Sequence, residues 1–231
     1  ESISVVFFID KGLKRCQQMF ADLNRYAVRP SKSLGLLYDH RDDAAQITKM
    51  VVIKSDTFGD LVEMEKSALS PRSRRLFTLS AIHSANNSLL RGKEIKNSEE
   101  AVSMALNYWN TVGKHIKEWK MAKESKITAG DIRQDFVHCH AIILQALGVL
   151  GNDVLSLPKS EQVKRLKLLE RVNWKRKNGR VWEGRAMVGG HIQKGSNNVV
   201  LSANYLKQTL ALPLSPEEQR SEDAFKRGEN G

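Results

Sequence analysis

Nothing in these 231 residues is apolar for long enough to cross a membrane: no run of about 18 apolar residues occurs. No secretory leader opens the chain either. ESISVVFFIDKG lacks a basic n-region, and its apolar run is too short. It has no initiator methionine and starts directly on a buried-strand pattern, so we expect a piece of a longer protein. Cysteine is scarce. Cys16 and Cys139 show no metal or disulfide spacing, which fits buried thiols kept reduced in a cytoplasm. A Walker loop and a GxGxxG are both missing. No nucleophile is matched with a base, and Asp42-Asp43 and Glu99-Glu100 read as solvated charge. His138-Cys139-His140 invites a metal, but ligands on one helix face need i, i+3 or i, i+4 spacing and these are consecutive. The expectation is no catalysis by this chain, no cofactor and no bound metal.

What is abundant is positive charge, a formal net +11. That balance calls for an acidic partner, most often nucleic acid. It is concentrated. Between residues 164 and 194 stand ten Lys or Arg, with Glu170 and Glu183 the only acids, so this span alone carries +8. A solvated helix normally interleaves both signs. Lys175, Arg176, Lys177 and Arg180 flank the turn signal Asn178-Gly179, and Arg185 follows; cations on a turn can track a phosphate backbone. Trp174 and Trp182 sit among them. Exposed, they would stack on unpaired bases; buried, they would staple the basic loop to the core, and the usual role of large aromatics in irregular loops favours burial.

Two further basic groups stand out. Ser70-Pro71 resembles a helix N-cap with proline at the first helical position, which puts Arg72, Arg74 and Arg75 in the first turns. Three arginines at the positive end of a dipole need an offset, either a bound phosphate or the acids of Glu63-Met64-Glu65. Arg25, Arg29 and Lys32 form the third group, near polar Gln17, Gln18 and Asn24, on what could equally be a solvated helix face.

The pattern along the chain is mainly helical. Ile3 to Ile9 reads as a buried strand, and a helix follows with Leu13, Cys16, Phe20, Leu23 and Ala27 on one face, ended by Pro30. Further helices are expected from about Ser33 to Val52, from Ser70 through Leu89, and from Ser98 with the stripe Val102, Leu106, Trp109, Val112, Ile116 and Trp119. A capping-box-like Thr128–Asp131 opens the stripe Ile132, Phe136, Cys139, Ile143, Leu147 and Leu150. A long helix from about Ser160 to Val172 comes next. Then a hairpin is expected around Gly189-Gly190, a short strand or turn and one helix between Asn197 and Leu212 with Ser202 as the cap, and a frayed tail from Ser215.

Beyond these patterns, ISVVFFIDKGLKRCQQMFADLNRYAVRPSKSL resembles the second half of a DGQHR-type domain, with Gln17, Phe20 and Asn24 matching a Q-x-x-F-x-x-x-N pattern. LNRYAVRPSKSL, LSPRSRRLFTLSAI and NWKRKNGRVWEGRAMVGGHIQKGSNNVVLSANYLKQTL resemble the DndB family, the regulators encoded with bacterial DNA phosphorothioation genes. The DGQHR residues themselves are absent and would precede Glu1. The resemblance implies a mainly α fold with minor β (α+β): the C-terminal end of a DGQHR-type core at residues 1–30, a helical region at 31–158, and at 159–231 a basic helix, a small β element and a C-terminal helix. It implies a cytoplasmic repressor that occupies double-stranded promoter DNA of the phosphorothioation cluster. Other phosphorothioation proteins and further copies of the chain are the remaining partners it suggests. Two rival readings stand beside it: a protein-interaction module of the modification machinery, and a fragment of a nucleic-acid enzyme whose active site precedes Glu1.

Overall fold

A computed structural model describes Gly12, residues 15–19, Asp22 and residues 30–229. The chain divides into two compact units, Glu1–Pro30 and Ser31–Gly231. In the first, residues 15–19 and Asp22 are helical, and Gln18 Nε2 donates to Asp22 Oδ1 at 2.9 Å. Gln17 and Gln18 are exposed, and Cys16 is half-buried rather than buried. The strand expected at Ile3–Ile9, together with Phe20, Asn24, Arg25 and Arg29, lies outside the described residues.

The second unit is mainly α with two small two-stranded sheets. Its centre is the pair Leu79–Leu90 and Ala141–Val154, which pack along their length. Small residues let the two backbones meet. A Cβ on Gly148 would stand 2.2 Å from the Ala85 carbonyl oxygen, so only glycine fits that crossing. Ser196–Thr209 packs on Ala141–Val154, and Asp43–Lys54 packs on both Leu79–Leu90 and Ser98–His115. Phe58, Phe77, Trp109 and Trp119 fill the core between them, each 1% exposed or less.

Several helices end where side chains offer the backbone a better partner. The run from Ser33 to Val52 is two helices, Lys32–Tyr38 and Asp43–Lys54. Asp39 Oδ1 accepts from Arg41 N and Asp42 N, and Asp42 Oδ1 accepts from Ala44 N and Ala45 N; these local bonds replace the helix ladder at 39–42. The Ser98 helix forms under the Asn97 cap and runs to His115; its stripe continues past a break at Ile116 into Lys117–Lys123. The stripe from Ile132 to Leu150 is likewise two helices, Ala129–Asp135 and Ala141–Val154. Cys139 sits in the loop between them, not on a helix face. It is buried with its Sγ toward the carbonyls of Ile132 and Phe136, and burial pushes its thiol pKa up to about 12.

Near the C-terminus Lys159–Lys167 tightens into a 3-10 turn at Leu168–Arg171. Met187–Val188 and His191–Ile192 make the expected antiparallel hairpin, with Gly189 and Gly190 at φ 58° and 75°. Ser202 is no cap: it is buried mid-helix in Ser196–Thr209. Nor is the described part of the tail frayed. Pro216–Lys226 is helical under a full capping box, Ser215 with Glu218, and proline occupies its first turn. Among the described residues no helix is long and apolar enough to cross a membrane.

Candidate nucleic-acid interface

A loop as basic as 173–180 has few apolar atoms of its own to bury. Two indoles supply them. Trp174 is 6% exposed and Trp182 fully buried; their rings stack at 5.7 Å with 14° between planes. Trp182 Nε1 donates to the Asn173 carbonyl at 2.9 Å, and its ring meets Tyr205 edge-on. The pair is therefore a staple, and neither ring is open to a base. The backbone is tied as well: Val137 N donates to Trp174 O and Arg176 N to Asp135 O, at 3.0 and 2.8 Å. Held this way, the turn leaves Lys175, Lys177 and Arg180 exposed.

Two of the cations expected at the surface are engaged elsewhere. Arg176 is half-buried and donates to the carbonyls of Gln134 and Gly190, at 3.3 and 2.8 Å. It braces the turn. Arg185 is buried, bonded to both carboxylate oxygens of Glu222 and to the Leu201 carbonyl, with Phe225 over its guanidinium. It cannot meet a phosphate. Glu183 is exposed but occupied, its carboxylate accepting from the backbone N–H groups of Gly189 and Gly190 in the hairpin turn.

The arginine-rich stretch 72–75 is a loop, not a helix N-terminus. Thr78 caps the helix instead, its Oγ1 accepting from Ala81 N, and the helix starts at Leu79. Leu76 and Phe77 are buried, and Phe77–Thr78 pairs in parallel with Val62–Glu63. Burying those two apolar side chains from an extended backbone outweighs the local cap signal of Ser70-Pro71. Arg72 and Arg74 are exposed; Arg75 is half-exposed and lies 3.8 Å from Asp60, not against Glu63 or Glu65. The loop is shaped by Arg133, whose guanidinium donates to the carbonyls of Ser70, Pro71, Ser73 and Arg75.

Arg133 brings the two basic loops onto one element. It belongs to the short helix Ala129–Asp135, which Thr128 caps through Asp131 N. The same helix ends on the Gln134 and Asp135 carbonyls that Arg176 binds, a cation on the negative end of the dipole. One seven-residue helix thus anchors the 70–75 loop through Arg133 and the 175–180 turn through Arg176. Lys32 is exposed at the start of Lys32–Tyr38, a helix tied to Ser67 and Ser80 through Ser33.

Beneath the turn lies a buried polar group. His138 is fully buried; Trp119 Nε1 donates to its Nδ1 at 3.0 Å, which leaves the proton on Nε2, facing Glu118 Oε2 at 3.5 Å. Burial pushes the imidazole pKa down. Burial pushes Glu118 up, but hydrogen bonds from His138 and from its own backbone outweigh it and hold the carboxyl below its usual range. His138, Cys139 and His140 serve three separate partners, since His140 donates to the Arg133 carbonyl at 3.0 Å. Among the described residues no three His, Cys, Asp or Glu side chains cluster as metal ligands.

The sequence reading missed Arg133, which nothing in the local pattern marks. It also missed Lys114, Lys117, Lys120, Lys123 and Lys126, all exposed and spaced by three, a period that was visible. Lys114 and Lys117 share with Lys175 the wall of a cavity of about 400 Å³.

No curated protein and no solved structure matches the chain. A family model described as DndB, DNA-sulfur modification-associated, matches residues 1–213. The match takes in both basic loops and the helix that anchors them, and stops short of the helix Pro216–Lys226. This chain belongs to the DndB family, proteins of bacterial DNA sulfur modification.

Proposed function

We propose that the chain is a cytoplasmic, non-catalytic repressor that binds double-stranded promoter DNA of its own sulfur-modification gene cluster. The observation that carries this reading is the joint anchoring of two cationic loops on Ala129–Asp135. It presents Lys175, Lys177, Arg180, Arg72 and Arg74 from segments tied down by hydrogen bonds, with Lys32 as a further exposed cation. Cations on turns follow a phosphate backbone, and phosphate contacts set register and affinity. The buried tryptophans favour duplex over single strand, because stacking on unpaired bases needs an open aromatic face.

Binding of the whole chain to its own upstream DNA and to a random duplex, at several salt concentrations, tests this. Five phosphate contacts at about 0.9 each set the slope of log K against log salt near −4 to −5. Replacing Lys175 and Lys177 by Ala should flatten that slope by about 2 and weaken both duplexes alike. A slope near zero removes the DNA-binding reading. Equal affinity for upstream and random DNA removes the repressor reading.

A further inference from the structure

The cavity beside the basic turn has the chemistry of a ligand site. It lies between the end of Ser98–His115, the start of Lys117–Lys123 and the segment 169–175, and its volume of about 400 Å³ suits a small organic molecule. Phe136, Leu169, Val172 and Trp174 give it an apolar wall. Lys114, Lys117 and Lys175 give it three ammonium groups, none with an acceptor among the described residues. The two carboxylates present are already faced by imidazoles: Glu170 Oε1 lies 2.7 Å from His115 Nδ1, and Glu118 is buried against His138. Cations therefore outnumber acids in the lining and are the groups left open.

One buried donor in the lining is left without a protein partner among the described residues. Trp174 is more than nine-tenths buried, lines the cavity, and its Nε1 has no acceptor. A buried donor left unpaired is rare enough to need a reason. Asn173, an exposed residue of the lining, spends its Oδ1 on Lys175 N and leaves its amide nitrogen open to solvent or to a ligand.

We propose that this cavity binds a nucleoside monophosphate: the phosphate on Lys114, Lys117 and Lys175, the ring against Phe136 and Val172 with Asn173 at its edge. The inference rests on the DNA-binding reading in one respect. Lys175 belongs to both the cavity and the basic turn, so a phosphate in the cavity takes a cation from the DNA and the two ligands antagonise each other.

Calorimetry of the whole chain with AMP, adenosine and inorganic phosphate tests the site, and anisotropy of labelled duplex at constant ionic strength tests the antagonism. AMP should bind saturably and more tightly than either half of the molecule. The double variant Lys114→Ala, Lys117→Ala should weaken AMP about tenfold with its melting temperature kept. Asn173→Asp keeps the acceptor for Lys175 N and adds a negative charge, and should also weaken AMP. Saturating AMP should lower duplex affinity by about fivefold or more. The proposal fails if AMP gives no saturable heat, if both variants bind it undiminished, or if inorganic phosphate releases duplex as well as AMP does. A chain that binds AMP in the cavity but no duplex sinks the DNA-binding reading and the antagonism, and leaves the site standing.

Discussion

Arg185 holds Glu222 through two hydrogen bonds of 2.8 and 2.6 Å, with both side chains buried. This pair latches Pro216–Lys226 to the hairpin and to Ser196–Thr209. Removing one member leaves the other charge uncompensated in the interior. Arg185→Ala should cost about 3–5 kcal/mol in urea unfolding and expose residues 216–226 to proteolysis. A joint replacement by Met at both positions should recover much of that loss. A stable Arg185→Ala that binds DNA less tightly would restore it as a contact residue.

The tryptophans are structural on this fold. All four of the sequence are 6% exposed or less, so iodide should quench the emission of the whole protein only weakly, with or without DNA. Trp182→Ala should lose about 3–5 kcal/mol of stability, and DNA affinity only as a consequence. Free quenching that DNA abolishes would make the rings contacts.

Arg133 acts through the loop it shapes. Arg133→Ala releases four carbonyls of residues 70–75, so trypsin should nick at Arg72 and Arg74 faster than in the parent. Arg133→Lys should not rescue the loop, because an ammonium lacks the fork that spans four acceptors. Unchanged nicking in both variants would mean that Arg133 does not hold the 70–75 loop.

Acid should weaken the fold through histidines held neutral. Burial pushes His140 down to about 4, and burial also lowers His138 and His83. Each folded value lies below the unfolded one, so the unfolded chain takes up protons first as pH falls. Stability is full above the unfolded value of 6.5 and, for His140, is lost between 6.5 and about 4. Melting temperature should fall across that window, and less steeply in His140→Gln, which keeps a donor for the Arg133 carbonyl. Parallel pH curves for the two proteins would contradict this.

Gly148 tests the central crossing. Alanine is the better helix former by about 1 kcal/mol, yet its Cβ would strike the Ala85 carbonyl, a backbone atom that cannot turn away. Gly148→Ala should therefore lower the urea midpoint, with an overpacking cost of about 1–3 kcal/mol or more. A raised midpoint would mean the helices separate freely.

Periodicity located most of the helical stripes, because apolar spacing follows directly from which face meets the core. It did not locate their breaks. Asp39 and Asp42 interrupt one run, and the loop around His138 interrupts another, through bonds to groups far away or to neighbouring backbone that compete with the ladder. The cap at Ser70-Pro71 misled for the same reason, since burial of Leu76 and Phe77 decided the conformation from outside the motif. The capping box of Ser215 and Glu218, by contrast, is legible in the sequence, and it makes a helix of a segment whose polar composition suggests fraying.

The sequence by itself determined a cationic, mainly helical protein with two indoles stapling a basic turn, because net charge, apolar period and aromatic cost are properties of residue type. Which cations face solvent was decided only by tertiary structure. Arg185 and Arg180 are alike in composition and near in sequence, yet one is sealed against Glu222 and the other is exposed. A guanidinium goes where its partners converge. For Arg185 those partners come from residues 201 and 222, and for Arg133 from residues 70–75, distances along the chain that no local pattern spans.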